Sequence, residues 1–148
     1  MDTTAATLNE LIQTCKDGEN GFRAAAESVA DSNLRHLLES YAQQRNEFAA
    51  ELQQEIRRLA QDPVDSGHAS AALHRGWMEI KAGLAGRDEA AVIAECERGE
   101  DEAVRSYQKA LKSDLPSDLR VIIERQYREI KDAHDHIRSL ERLQARNS

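Results

Sequence analysis

The sequence has 148 residues, of which 40% are hydrophobic and 32% charged, and its net charge at pH 7 is -7. A chain of this length is the size of one domain and buries about two-thirds of its surface on folding, so it needs no stabilising disulfide or metal. The negative charge and the 4% aromatic content argue against nucleic-acid binding, because phosphates would repel the chain. No apolar run approaches the roughly 20 residues of a membrane span.

The two cysteines and the first residues indicate the compartment. The amino terminus lacks the basic start and apolar core of a signal peptide. Cys15 and Cys96 are far apart and do not form a Cys-x-x-Cys pair. We therefore expect a cytoplasmic protein with free thiols.

Apolar residues recur with helical spacing through the first 60 residues. The first helix is predicted over residues 7–30, where Thr7 and Glu10 have the spacing of a capping box. Residues 31–33, Asp-Ser-Asn, offer stop and N-cap chemistry in a very short connection. The second helix is predicted over residues 33–60, and the short connection implies an antiparallel hairpin.

The second half of the chain repeats this plan after a break. Pro63 and Gly67 end the second helix, since neither continues a helix readily. A short helix is predicted over residues 69–84, and long helices over residues 88–111 and 116–143. The chain therefore contains two hairpins of long helices joined by a long connector.

This order of elements is typical of ferritin-like bundles, in which a long crossover inverts the second hairpin. We predict one domain over residues 1–148: an all-α, ferritin-like four-helix bundle with a short extra helix in the crossover. The first and third helices would then be antiparallel. That arrangement places Cys15 and Cys96 toward opposite ends of the bundle, out of disulfide range.

Each apolar stripe is interrupted near the middle of its helix by a polar residue that keeps the inward spacing. These exceptions form a predicted central polar cluster of Glu19, Arg45, Glu100, Gln126 and His134. An unpaired carboxylate in a dry interior is destabilising, so it requires a cation, a proton or a metal. The cluster is therefore the candidate site.

A metal centre is one interpretation of the cluster. Ferritin-like di-metal proteins use a lone Glu from each of two helices and a Glu-x-x-His pair from each of the other two. Glu19 and Glu100 stand where the lone carboxylates are expected and His134 where one histidine is, but no Glu-x-x-His occurs in the chain. The metal ligands predicted under this interpretation are Glu19, Glu97, Glu100 and His134, holding iron or manganese. A mononuclear form would use Glu97, Glu100 and His134.

A metal-free polar core is the interpretation we favour. Arg45 already carries the positive charge that a metal would bring, and its planar fork can bind Glu19, Glu100 or both. A guanidinium beside the site would also repel a divalent cation. We therefore expect no cofactor and no catalytic residue.

Several motifs, in order along nearly the whole chain, resemble a known family. They are KDGENGF at 16–22 with AAAE at 24–27, QRNEF at 44–48, HRGW at 74–77, ECERGED at 95–101 and AHDHI at 133–137. These resemble an uncharacterised bacterial family of ferritin-like four-helix bundles with a domain of unknown function, of the DUF2383 type. The resemblance implies a ferritin-like fold and supplies no activity.

Two glycines and one tryptophan have ordinary packing explanations. Gly18 and Gly21 inside a helix indicate close approach of a neighbouring helix or of a large side chain such as Trp77. Trp77 on the short helix is expected to anchor the crossover onto the bundle. In a second interpretation His74, Arg75 and Trp77 form a dimer interface.

The sequence thus predicts a non-catalytic homodimer, and the family resemblance alone implies a stress-related or structural role. It indicates no small-molecule substrate, nucleic acid or membrane as a partner. The alternatives are an iron- or manganese-dependent oxidoreductase or storage protein, and an interaction module that uses the 69–84 helix.

Overall fold

The computed structural model describes residues 2–59 and 89–147, all of them in four helices and the turns that join them. The helices are α1 (Asp2–Glu27), α2 (Ser32–Arg58), α3 (Glu89–Lys112) and α4 (Ser117–Asn147). The predicted short helix over residues 69–84 lies outside the described residues.

Three predicted helix boundaries are wrong, one of them the end of α1, which lies at Glu27 and not at residue 30. α1 already begins at Asp2, so Thr7 and Glu10 lie inside the helix and do not cap it. α4 continues to Asn147, beyond the predicted end at residue 143. Spacing alone misplaces helix ends because the terminal turns are held by few contacts of their own.

The turn between α1 and α2 has the chemistry predicted for it. Asp31 is the N-cap of α2, and its side chain accepts a hydrogen bond of 3.0 Å from the backbone N–H of Leu34. At the other end of α2, Arg57 and Arg58 lie in the last turn, where positive charge complements the helix dipole.

Contacts between helix ends establish the topology. The Asp31 backbone N–H donates to Glu89 Oε1 at 3.1 Å, so α3 begins beside the α1–α2 turn. Lys109 near the end of α3 lies 3.3 Å from Glu10 near the start of α1. α3 is therefore antiparallel to α1, and the end of α2 and the start of α3 lie at opposite ends of the bundle.

α1 packs against α2 and α3, while α4 packs closely against α3 and meets α2 at only a few positions. Among the described helices, α2 and α3 are one diagonal of the bundle and α1 and α4 the other. No helix in the described residues is both long and apolar enough to cross a membrane.

The buried apolar side chains form two clusters along the bundle. The cluster toward the start of α1 is centred on Leu11, Ile12, Leu52, Ile56 and Tyr107. The cluster toward the α1–α2 turn is centred on Phe22, Leu38, Val92, Cys96 and Ile137. Polar side chains are buried around the level at which these clusters meet.

Candidate functional site

The centre of the bundle holds an ion pair between Arg45 on α2 and Glu100 on α3. Arg45 Nη1 donates to Glu100 Oε1 at 2.5 Å and Arg45 Nη2 donates to Glu100 Oε2 at 2.6 Å. The side chains are 1% and 0% exposed. This is the bidentate geometry in which a guanidinium and a carboxylate match edge to edge.

The rest of the Arg45 side chain is enclosed by neighbours that suit a cation. Its guanidinium carbon lies 5.3 Å from the centre of the Phe22 ring, a cation–π distance. Its Nε donates to Gln44 Oε1 at 3.0 Å. A Cβ built on Gly18 would lie 3.4 Å from Arg45 Nη1, so the missing side chain at this position leaves room for the guanidinium.

The guanidinium of Arg45 is held in its charged form. Burial acts to lower the pKa of Arg45, but the adjacent Glu100 carboxylate more than offsets this and raises the pKa above its usual value. Burial, followed by the negative charge of Glu100, raises the pKa of the half-buried Tyr41 to about 12. The pair thus brings its own counter-charge into a dry interior, as burial of either ion requires.

A second buried network joins all four helices one level away. The Tyr107 hydroxyl donates to Gln126 Oε1 at 2.6 Å and lies 3.1 Å from Cys15 Sγ. A hydroxyl has one hydrogen, so the Cys15 thiol must be the donor to Tyr107. The Gln126 amide then donates to Glu51 Oε1 at 2.8 Å and, at 3.4 Å, to the Phe48 carbonyl.

Both thiols are buried and free. Burial raises the pKa of Cys15 to about 11, and its bond to Tyr107 lowers it only in part. Burial also raises the pKa of Cys96, with Glu100 adding to the effect. Cys15 and Cys96 belong to different core clusters. Thiols of this kind are poor nucleophiles because little thiolate forms at neutral pH.

Glu19 lies apart from the central pair, contrary to the expectation that it joins the cluster. Its carboxylate accepts from Arg23 Nη2 at 2.7 Å and from Asn46 Nδ2 at 3.3 Å. Of the two carboxylates that Arg45 was expected to reach, only Glu100 is bound by its fork. Glu19 has the inward spacing that the sequence predicts, but its side chain is partly exposed. It forms an ion pair with Arg23, one turn later on the same helix.

His134 also binds elsewhere. Its Nε2 lies 2.6 Å from Asp101 Oδ1 on α3 and its Nδ1 lies 3.1 Å from Asp135 Oδ1, so carboxylates flank both ring nitrogens. The hydrogen bond to His134, together with Lys131, lowers the pKa of Asp135. The histidine is 5% exposed and joins α3 to α4.

Glu97 lies in the same α3–α4 seam. Its Oε2 is 3.5 Å from Arg138 Nε, and its side chain is 17% exposed. A hydrogen bond that the Glu141 carboxyl donates to the neighbouring Glu97 carboxylate raises the pKa of Glu141. The neighbours of Glu97 are therefore the Glu141 carboxyl and the Arg138 guanidinium. Glu100 does not join them, because its carboxylate binds Arg45.

The predicted ligands do not fit a di-metal centre. Both oxygens of Glu100 are bound to Arg45, Glu19 faces Arg23, and His134 faces two aspartates. Within residues 4–59 and 89–143, no group of three or more His, Cys, Asp or Glu side chains is arranged to hold a metal ion. Among the described residues, the cation bound to Glu100 is the guanidinium of Arg45.

Sequence reasoning missed three participants. Tyr107 and Cys15 keep the apolar spacing of their helices, so spacing does not distinguish them from core residues, although a fully buried tyrosine usually has a hydrogen-bond partner. Glu51 lies beside the apolar face of α2 and not on it, so helical spacing does not identify it as a buried polar residue. The predicted interface residues His74, Arg75 and Trp77 lie outside the described residues.

The chain was compared with known proteins. A family model described as "Domain of unknown function (DUF2383)" matches residues 3–113. The fold is similar to that of a solved Dps1 mutant from Mycobacterium smegmatis, with a TM-score of 0.76 and 12% sequence identity over 95% of both chains. At this identity the similarity shows the fold alone, a ferritin-like helical bundle. No curated protein matches the chain.

Proposed function

The chain belongs to the DUF2383 family, and we propose that it is a ferritin-like bundle in which an arginine–glutamate pair replaces a metal centre, acting as a structural, non-catalytic protein. The observation that carries the proposal is the bidentate Arg45–Glu100 bond in the core, with both side chains at most 1% exposed. The pair supplies the charge balance that a metal would otherwise supply.

Electrostatic repulsion between the Arg45 guanidinium and a divalent cation supports this interpretation. A divalent cation bound to Glu100 would compete with a guanidinium at 2.5 and 2.6 Å. If the divalent cation displaced Arg45 from Glu100, the guanidinium would remain buried in a low-dielectric interior without a counter-charge. That costs several kcal/mol. Arg45 is 1% exposed and lies against Phe22 and Gly18, so its guanidinium would have to move past these neighbours to reach solvent.

The pKa values of the buried thiols and of the Tyr107 hydroxyl also support a non-catalytic role. The buried thiols have raised pKa values, and the buried Tyr107 hydroxyl has a pKa raised well above its usual value by burial. None of these groups is poised to act as a base or nucleophile near neutral pH. The role would therefore be exercised by the surface of the bundle.

Metal content tests the proposal. Protein produced in medium supplemented with iron and manganese, and purified without chelators, is expected to contain only substoichiometric metal by mass spectrometry. Its urea unfolding midpoint should be unchanged by EDTA. About one or two iron or manganese ions per chain, lost in Glu100→Gln and His134→Ala but kept in the matched surface variant His36→Ala, would instead establish the metal-dependent oxidoreductase or storage function.

Location and assembly are further parts of the proposal. Two buried free thiols suit a reducing compartment, the cytoplasm. A homodimer is proposed from the sequence, and light scattering coupled to size-exclusion chromatography tests it: a monomer mass at all concentrations would contradict it.

A further inference from the structure

Among the described residues, the backbones of α2 and α4 lie far enough apart to leave a depression between the two helices. These two helices meet at only a few positions, and a groove of about 700 Å³ lies between them. A second depression of about 310 Å³ continues it toward His136, and the two share Gln44 and Glu129. Together they make one long groove, here called the α2–α4 groove.

The groove carries an excess of negative charge. Its lining includes four carboxylates and one guanidinium: Glu47, Glu51, Glu129, Asp132 and Arg125. The remaining lining consists of uncharged polar side chains and His136, together with Phe48, Tyr41, Ala50 and Ala133. The chain's net charge of -7 extends the attraction for a cationic partner beyond the groove.

One wall of the groove already binds a guanidinium. Arg125 reaches from α4 to Glu51 on α2, and its Nη1 lies 3.4 Å from Glu129. Glu51 is held in place from below, because the wholly buried Gln126 amide donates to it at 2.8 Å. The bond from Arg125 to Glu51 shows that a carboxylate in this groove binds a guanidinium, and it leaves the other carboxylates of the groove for a partner.

Two other carboxylates of the groove have no cation of their own. Glu47 accepts a hydrogen bond of 3.2 Å from the Gln43 amide. Among the residues that the structure describes, neither Glu47 nor Asp132 has a Lys, Arg or His nitrogen within 4.0 Å. Glu47 lies on α2 and Asp132 on α4, so they face the groove from its two sides.

From the groove's shape and its uncompensated carboxylates, we infer that the α2–α4 groove docks an extended Lys- and Arg-bearing segment of a partner protein. An amphipathic helix would need a broad, continuous apolar floor, whereas the lining offers only Tyr41, Phe48, Ala50 and Ala133 among ten polar or charged side chains. An extended chain fits better, since its basic side chains pair with Glu47, Asp132 and Glu129 while its backbone meets the amide side chains Gln43, Gln44 and Gln54. The inference does not depend on the metal content of the core.

Fluorescence anisotropy with a defined probe tests the inference. The probe is a labelled peptide of about eight residues alternating Lys and Ala, roughly 26 Å long when extended. The full chain is expected to bind it, and the binding should weaken with added salt. A peptide alternating Glu and Ala should not bind.

Matched charge variants locate the binding. Glu47→Gln/Asp132→Asn removes two exposed groove carboxylates, and Glu95→Gln/Glu102→Gln removes two exposed or half-buried carboxylates on α3. Both change the net charge equally and spare the core. The groove pair is expected to weaken binding about fivefold or more, the effect of two exposed ion pairs, and the α3 pair less than about twofold.

Three outcomes would overturn the inference. The first is no binding of the basic peptide by the intact chain. The second is equal weakening by the two variant pairs, which would mean attraction to net charge alone. The third is tighter binding of spermine than of the peptide, lost in the groove variant, which would make the groove a polyamine site.

Discussion

Arg45 and Glu100 bond to each other across a diagonal of the bundle, from α2 to α3, two helices that are not neighbours among the described elements. The long arginine side chain spans the core, and Gly18 and Phe22 on α1 line its path. The pair therefore ties together helices that adjacent packing alone would leave unconnected. Its removal should affect the bundle as a whole, which leads to the first prediction.

Glu100→Leu is expected to lower the free energy of unfolding by roughly 3–5 kcal/mol, because it leaves the Arg45 charge buried without a partner. Arg45→Met/Glu100→Leu should recover much of that loss, since an apolar pair of similar volume has no charge to desolvate. Urea unfolding of the single and double variants gives both values. Glu102→Gln, at an exposed ion pair, should change stability by less than about 1 kcal/mol. A double variant as unstable as the sum of its single variants would contradict the prediction.

Tyr107→Phe should cost about 1–3 kcal/mol, because it leaves the Cys15 thiol and the Gln126 carbonyl oxygen without their partner in the core. In a double-mutant cycle with Gln126→Met the two changes should show a coupling energy of about 1 kcal/mol or more. Tyr127→Phe is the control, since Tyr127 accepts only an exposed bond from Gln108. Equal effects of the two tyrosine changes would mean that the buried network contributes nothing specific.

The stability of the reduced protein should fall at alkaline pH. The pKa of Cys15 is raised by burial from 9.0 to about 11, so above about pH 9 the unfolded chain ionises while the folded chain keeps its proton. The contribution of Cys15 to the free energy of unfolding then decreases by roughly 2 kcal/mol as pH rises from 9 to 11. Unfolding curves at several pH values, compared with Cys15→Ala, isolate this contribution. The variant should show a shallower decline, and an equally steep one would refute the assignment.

Gly18→Ala is expected to be tolerated. The added Cβ would lie 3.4 Å from Arg45 Nη1, an ordinary contact, and alanine favours the helix by up to about 1 kcal/mol. Gly18→Leu should instead cost about 1–3 kcal/mol, because its extra carbons must displace the buried guanidinium. Thermal unfolding distinguishes the two, with the exposed Asn20→Ala as a control for helix propensity. Equal tolerance of Leu and Ala would show that Gly18 does not make room for Arg45.

The sequence by itself determined the four helices, the ferritin-like fold and the family, all of which are confirmed. Helical periodicity is a local property, because burying one face of a helix requires apolar residues every three or four positions. The same rule made Arg45, Glu100 and Gln126 visible as polar residues on apolar faces, and all three are at most 1% exposed. The crossover topology followed from the lengths of the connections.

Only the tertiary structure decided which polar groups meet. Glu19 and Glu100 have the same inward spacing, yet Glu100 binds Arg45 and Glu19 binds Arg23. The difference arises from the rotation and height of α1 and α3 relative to α2, which the spacing within one helix does not contain. A side chain's partner depends on a distance of a few ångströms between helices far apart in sequence, and the packing of the whole core sets that distance.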